Sequence, residues 1–175
     1  ALVVLEAKQP LDEKIAISRA DVQQTAGNAS RLAAGARLRR GDLLHLALMA
    51  SENRAANALC GAYPGGRKAC VSAMNRKAKA LGMKTARFVE PTGLSSRNVS
   101  SPVDLARLVR AAAANPAIRR YSTDAEHAVT IKGRTVEFRS TNSLVRKPDW
   151  RVTMQTTGYN AEAGRCLVMQ AVIDD

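Results

Sequence analysis

Aromatic residues are scarce in this sequence and make up 3% of its 175 residues. Proteins that bind single-stranded nucleic acid stack the bases on aromatic side chains, so this scarcity argues against nucleic acid as a partner. The formal net charge of +12 would otherwise favour a polyanion. Because the basic residues are scattered along the chain, we expect a solvated basic surface, which is compatible with association with an anionic cell wall or membrane surface.

Long apolar runs are also absent, and no stretch reaches the roughly 18 apolar residues that would cross a membrane. The hydrophobic content of 46% is enough for one buried core, and we predict a single domain over residues 1–175. Residues 1–7 are apolar, too short for a signal peptide, and suited to a buried helix that lacks a capping residue. We therefore expect the first helix to continue upstream of Ala1.

Cysteine is rare, with three in the chain, and none has the spacing of a zinc site. Cys60 and Cys70 flank a Pro-Gly-Gly turn between two predicted helices, which leaves a disulfide and two separate buried thiols both open. Cys166 lies in an apolar run and is expected to be a small core residue. His45 is expected to pack or to be partly exposed, and His127 has no ligand-spaced companion. We therefore expect no metal and no other cofactor.

Helical periodicity precedes strand periodicity along the chain. We predict helices over residues 1–7, 42–62 (capped by Asp42), 67–81 and 101–114, a hairpin over 129–138, and strands over 151–157 and 165–173. Residues 14–40 are mixed and basic, with turn signals but no assigned element. A helical part over about 1–122 followed by a strand-rich part over about 126–175 indicates an α+β architecture.

Two polar segments stand out as candidates for chemistry. Ser51, Glu52 and Asn53 interrupt the apolar helix, so that Ser51 and Asn53 can face a cleft. Residues 156–159, which are Thr-Thr-Gly-Tyr, end a predicted strand, where hydroxyls and free backbone groups can bind a peptide carboxylate or an extended substrate. Taken separately, such segments are most often helix caps, surface residues or turns. A functional interpretation therefore depends on the order of the two segments and on the sequence around them.

The two segments together resemble a known family. Residues 51–53 match the S-x-N motif of serine penicillin-binding proteins and β-lactamases, and Thr157 with Gly158 matches the end of their K-[TS]-G motif. Further blocks are similar to the low-molecular-mass D-alanyl-D-alanine endopeptidases of the penicillin-binding protein 7 type, in peptidase family S11. These blocks are residues 10–14, 48–56, 63–66, 78–83, 88–94 and 163–169, and the similarity extends over essentially the whole chain.

The resemblance implies a β-lactamase/D,D-peptidase fold, in which a helical region lies beside a five-stranded antiparallel sheet that would be incomplete here. It also implies a periplasmic hydrolase that cuts peptidoglycan peptides through an acyl-enzyme and is acylated by β-lactams. Its endopeptidase and carboxypeptidase activities use the same motifs, so the sequence does not separate them.

The resemblance also assigns roles to individual residues. Ser51 would pass a proton to the leaving amine, and Asn53 would bind a substrate amide. Thr157, within the substrate-binding strand segment of Thr156, Thr157, Gly158 and Tyr159, would bind the substrate carboxyl group. The backbone N–H of Tyr159 would serve the oxyanion hole.

Two departures from the family pattern bear on activity. No S-x-x-K matches the family's nucleophile and general base, which we expect to lie upstream of Ala1, so this chain by itself is expected to be inactive. The lysine of K-[TS]-G is replaced by Thr156, which keeps a hydrogen bond but loses a positive charge. The alternative is therefore a catalytically impaired relative that binds penicillin or peptidoglycan.

Overall fold

A computed structural model describes residues 1–160 and 164–173 of the chain. Its helices are α1 (Leu2–Glu6), α2 (Arg19–Gln24), α3 (Arg40–Met49), α4 (Asn53–Gly61), α5 (Gly66–Ala80), α6 (Pro102–Ala113) and α7 (Pro116–Thr123). Its strands are β1 (Lys14–Ala16), β2 (Arg37–Arg39), β3 (Glu126–Ile131), β4 (Arg134–Arg139), β5 (Arg151–Asn160) and β6 (Gly164–Val172), with a 3₁₀ turn at Ser143–Arg146. This order confirms the predicted α+β class.

Residues 161–163, in the predicted connection between the last two strands, and residues 174–175, at the end of the predicted domain, lie outside the described residues. Within the described ranges, no helix is long and apolar enough to cross a membrane.

The strands form three antiparallel pairs, β1 with β2, β3 with β4, and β5 with β6. The β3–β4 pair is the predicted hairpin, and β5 and β6 are the two predicted later strands. Strand β5 extends three residues beyond its predicted end, and β6 has the predicted length but begins and ends one residue earlier. In the β5–β6 pair, Thr157 lies opposite Leu167 and Gly158 lies opposite Cys166. Strands β1 and β2 and helix α2 were not predicted. The two strands have three residues each and are defined by their pairing with each other. Helix α2 has a local signal, the capping box of Ser18 and Asp21, which the prediction did not use.

The single helix predicted over residues 42–62 is wrong, because the chain forms two helices there. Helix α3 ends at Met49, Ser51 adopts a left-handed conformation with φ of 52°, and α4 begins at Asn53. The predicted cap is also wrong, since Arg39 occupies the N-cap position. Asp42 lies in the first turn of α3 and binds the Arg39 guanidinium at 2.8 Å.

The helix predicted over residues 101–114 is α6, and its start is capped: Ser101 Oγ accepts a hydrogen bond from the Asp104 N–H at 3.2 Å, and Pro102 is in the first turn. Asn115 and Pro116 follow α6 and begin α7, a helix that was not predicted. The Asn115 side chain accepts from the N–H of Ala117 at 3.0 Å and so caps α7.

Helix α3 is the centre of the core. Its leucines and Met49 are buried, together with apolar side chains of β1, β2, α4, β3 and β4. Leu48, on another side of α3, packs with Ile118 of α7 and Met154 of β5 in a second cluster. Each fully buried side chain of this size contributes about 1.5–3 kcal/mol relative to exposure. These contacts fix the end of α3 close to β5, and Ser51 lies at that end.

The remaining expectations concern the cysteines and the histidines. Cys60 at the end of α4 and Cys70 in α5 form a disulfide with a Cα–Cα distance of 5.4 Å. The expectation that Cys166 is a core residue is wrong, because its side chain is exposed on β6. His45 is buried and stacks between Tyr121 and His127, with ring centroids 4.8 Å and 4.0 Å away.

Candidate active site

Ser51 lies where α3 ends and the chain turns towards β5. Its hydroxyl donates to the backbone oxygen of Thr157 at 2.7 Å, and its Oγ lies 2.8 Å from Thr157 Oγ1. A left-handed conformation costs a residue with a Cβ about 1–2 kcal/mol. The hydrogen bonds to Thr157, 106 positions later in the sequence, therefore hold Ser51 in a backbone conformation that is locally unfavourable. The break in the helix therefore aims the hydroxyl at the strand.

Glu52 anchors the turn that carries Ser51, a role that the sequence analysis missed. Its N–H donates to the backbone oxygen of Leu46 at 3.2 Å. Its buried carboxylate accepts from Ser30 Oγ at 2.7 Å and from the N–H of Arg54 at 3.2 Å. The carboxylate therefore caps α4 and ties the turn to the loop before β2. An acidic residue directly before a helix is a signal for such a cap.

Asn53 is the first residue of α4 and is half-buried. It lines the same cleft as Ser51. Its side chain makes no hydrogen bond to any other residue that the structure describes. Its amide group therefore has both a donor and an acceptor to offer to a ligand.

The end of β5 forms the opposite side of the cleft. Thr156 and Thr157 are half-buried, whereas Tyr159 is 66% exposed. A Cβ built on Gly158 would meet no atom within 4 Å, so the space beside the strand is open at this position. Cys166 of β6, opposite Gly158, also borders the cleft.

The cleft has a volume of about 400 Å³. All six residues proposed from the sequence border it, namely Ser51, Asn53, Thr156, Thr157, Gly158 and Tyr159. The remaining walls come from α1, α3, α4, α5, β6 and the loop at residues 91–94. Among the described residues that border it, Glu52 alone has a charged side chain, so no lysine or arginine there provides a cation next to Ser51.

The loop at residues 91–94 is held by Glu90. The Glu90 carboxylate accepts from the N–H of Thr92 at 2.6 Å, from the N–H of Gly93 at 2.8 Å and from Asn98 Nδ2 at 2.5 Å. Asn98 Oδ1 in turn accepts from the N–H of Val89 at 2.7 Å. This network fixes the wall that faces β5, and sequence analysis had not singled out Glu90.

Asp104 and the histidines lie away from the cleft. The N–H and the hydroxyl of Thr85 both donate to Asp104 at 2.7 Å and lower the pKa of its carboxyl to about 2. Burial, reinforced by nearby His127, lowers the pKa of His45 to about 4. No group of three or more metal-ligating side chains is arranged to hold a metal ion among residues 1–160 and 164–173.

The fold and the cleft define a class of protein: an α+β domain with an S-x-N turn facing a strand that carries Thr-Gly. The sequence model of the D-alanyl-D-alanine carboxypeptidase family, peptidase S11, matches residues 1–175, and the chain belongs to this family. The resemblance inferred from its motifs is thereby confirmed.

Curated relatives agree with this assignment. The chain is 47% identical over 176 residues to a D-alanyl-D-alanine endopeptidase of Pseudomonas aeruginosa, covering 99% of this chain and 57% of that protein. It is 46% identical over 177 residues to a D-alanyl-D-alanine endopeptidase of Escherichia coli, covering all of this chain and 57% of that protein. The chain thus spans a little over half the length of these relatives.

Solved structures share the fold. The Streptomyces K15 DD-transpeptidase superposes with a TM-score of 0.86 at 28% identity, over 98% of this chain and 71% of that one. A D-alanyl-D-alanine carboxypeptidase from Mycobacterium tuberculosis superposes with a TM-score of 0.79 at 25% identity, over 99% of this chain and 70% of that one. These likenesses confirm the D,D-peptidase-like fold.

Proposed function

We propose that this chain is part of a serine-type D-alanyl-D-alanine endopeptidase that cuts peptidoglycan cross-links through an acyl-enzyme. The observation that carries the proposal is the placement of Ser51, Asn53 and Thr157 on one cleft, with the Ser51 hydroxyl 2.7 Å from the Thr157 backbone oxygen. The names of the two curated relatives support endopeptidase over carboxypeptidase activity.

The nucleophile is proposed to come from residues that this sequence does not contain. No serine in the chain is followed three positions later by lysine, so no S-x-x-K is present. In the proposed reaction, a serine oxygen bonds to the D-alanyl carbonyl carbon, its proton passes to the lysine, and the carbon–nitrogen bond then breaks. Water subsequently cleaves the serine ester and releases the second product.

Ser51 is proposed to hand a proton to the departing nitrogen. In the structure its hydroxyl is bonded to the Thr157 backbone oxygen, so it must turn towards the cleft to do so. The Asn53 amide would bind the substrate backbone on one side. On the other, the N–H of Tyr159 would stabilise the carbonyl oxygen as it becomes negative, a contribution of about 3 kcal/mol.

The proposed location is the periplasm, where peptidoglycan lies. The Cys60–Cys70 disulfide supports an oxidising compartment of this kind. Peptidoglycan peptides are the proposed partners and β-lactams the proposed covalent inhibitors. The net charge of +12 favours association with anionic wall or membrane surfaces over long range.

The test is hydrolysis of a purified crosslinked muropeptide dimer by the longest natural polypeptide that contains this chain. We expect two monomers as products, and a rate that falls about 100-fold or more in Ser51→Ala, by analogy with the loss of other proton-transfer groups. An Arg146→Ala variant, changed away from the cleft, is the matched control. Failure of the wild-type polypeptide to release monomers contradicts the proposed hydrolysis.

A second candidate function, binding with impaired cleavage, rests on Thr156. The cleft has no lysine or arginine on its described walls, and charged hydrogen bonds contribute about 1.5–3 kcal/mol. If this charge limits the reaction, Thr156→Lys should raise turnover of the dimer by roughly 10- to 150-fold. Thr156→Met, of similar length but without charge, is the control. Equal and rapid turnover by the wild-type and lysine forms would exclude the impaired alternative.

A further inference from the structure

Three hydroxyl groups form a continuous chain behind the cleft. Thr141, on the segment after β4, places its Oγ1 2.5 Å from Thr157 Oγ1, which is itself 2.8 Å from Ser51 Oγ. Thr141 is exposed and does not border the cleft. Its hydrogen bonds to the candidate site, within the described residues, are to Thr157 and to the end of α3.

Each hydroxyl has one proton, and the three shortest contacts set the direction of the chain. Ser51 donates its proton to the Thr157 backbone oxygen at 2.7 Å, so the contact between Ser51 Oγ and Thr157 Oγ1 requires Thr157 to donate. The proton of Thr157 is then in use, so its contact with Thr141 requires Thr141 to donate. The chain therefore runs from Thr141 through Thr157 to Ser51.

The backbone of Thr141 is held independently of its hydroxyl. Its N–H donates to the Met49 backbone oxygen at 3.3 Å, where α3 ends just before the Ser51 turn. The Thr141 hydroxyl also lies 3.3 Å from that oxygen, but this contact is the longest of the four that the three hydroxyls make, so we assign the Thr141 proton to Thr157 at 2.5 Å. The Thr141 side chain therefore occupies a fixed position from which it can serve as a donor.

We propose that Thr141 is a positioning residue for the recognition of the substrate carboxylate, which deepens the proposed function and rests on it. Because Thr141 donates to Thr157 Oγ1, the proton of Thr157 points away from Thr141 and towards the cleft. The Thr157 proton is then available to Ser51 in the empty cleft and to a carboxylate when substrate binds. Such a device matters here because the described cleft walls carry no lysine or arginine to attract that carboxylate.

The mechanism predicts what happens when the Thr141 hydroxyl is removed. In Thr141→Val the shape of the side chain is retained but the donor is lost. Thr157 Oγ1 then loses the donor that occupies its lone pair, and solvent at this exposed position can accept the Thr157 proton. The interaction of Thr157 with a carboxylate therefore weakens. Thr141→Ser keeps the donor and should behave like the wild-type protein.

The experiment measures the second-order rate constant for acylation by benzylpenicillin and by its methyl ester, which lacks the carboxylate charge. It uses the longest natural polypeptide that contains this chain. For Thr141→Val we expect the rate constant for the acid to fall about 5- to 10-fold, the loss typical of one hydrogen bond between neutral groups. The rate constant for the ester should change by less than about 2-fold, and Thr141→Ser should restore the value for the acid.

The outcomes distinguish a failure of the proposed function from a failure of the role of Thr141. If the wild-type polypeptide forms no adduct, the proposed function fails and the role of Thr141 falls with it. If the wild-type polypeptide is acylated and Thr141→Val reacts with the acid equally fast, the role of Thr141 alone is overturned. A parallel loss for acid and ester also overturns it, since that result indicates a packing defect. Selective loss for the acid, rescued by serine, supports it.

Discussion

The Cys60–Cys70 disulfide gives the sharpest stability prediction. It joins the end of α4 to the first half of α5 across a sequence separation of 10 residues, and both sulfur-bearing side chains are buried. In the loop-entropy relation, a closed loop of that length stabilises the folded state by roughly 2.7 kcal/mol at 25 °C. For a chain of this size, such a loss lowers the melting temperature by about 5–11 °C.

The perturbation is the double variant Cys60→Ala and Cys70→Ala, which removes the bond without burying new hydroxyl groups. Unfolding in urea, with and without a reductant, measures the free energy. We expect the reductant to destabilise the wild-type protein and to leave the double variant unchanged. Cys166→Ala, at an exposed position, is the control and should change the free energy by less than about 0.5 kcal/mol. A double variant as stable as the wild-type protein would refute the entropic reasoning.

Three further predictions concern pH and the cleft wall. The pKa of Asp104 is held at about 2, below its unfolded value. Its contribution to the free energy of unfolding is therefore present above about pH 4 and is lost as the pH falls towards 2. Asp104→Asn should flatten that part of a curve of unfolding free energy against pH, measured in urea. Because burial lowers the pKa of His45 to about 4, the unfolded chain binds more protons than the folded chain below about pH 6.5. The free energy of unfolding should therefore fall as the pH is lowered from 6.5 to 4. His45→Gln should reduce the slope of this pH dependence. Glu90→Gln replaces one acceptor oxygen by a donor facing backbone N–H groups; it should cost about 1–3 kcal/mol in urea unfolding, and an unchanged midpoint would contradict the bracing role of Glu90.

Local signals predicted much of the helical scaffold. The proline and capping serine of α6 and the apolar positions of α3 are visible in the sequence because their effects act within one or two turns. The break after Met49 was not predicted, because the left-handed conformation of Ser51 depends on Thr157, 106 positions later. A polar triplet inside an apolar helix indicates a special position, but it does not specify a turn.

The exposure of Cys166 shows a different limit. The residues around it are apolar, which is typical of a strand covered on both faces. In the described part of the chain, however, β6 pairs with β5 alone, and Cys166 and Leu167 are both exposed. Apolar composition therefore predicted the strand correctly and the burial of this residue incorrectly.

The candidate site was predicted through its motifs, while the residues that support it were not. Ser51 and Asn53 were found because the order of two short motifs resembles a family. Glu52, Glu90 and Thr141 act through hydrogen bonds to a turn, a loop and a neighbouring hydroxyl, and no local pattern marks all three. The acidic position directly before α4 is a local signal for Glu52. The contacts of Glu52 with Ser30, of Glu90 with Asn98 and of Thr141 with Thr157 are seen in the tertiary structure alone.

The central claim is that Ser51, Asn53 and Thr157 line a cleft in which a serine ester forms. Its most direct test is the intact mass of the longest natural polypeptide that contains this chain after incubation with benzylpenicillin. We predict a gain of one penicillin mass, bound to a serine outside residues 1–175, and a much slower gain in Ser51→Ala. An unchanged mass after prolonged incubation, or an adduct on a serine within this chain, would contradict the account.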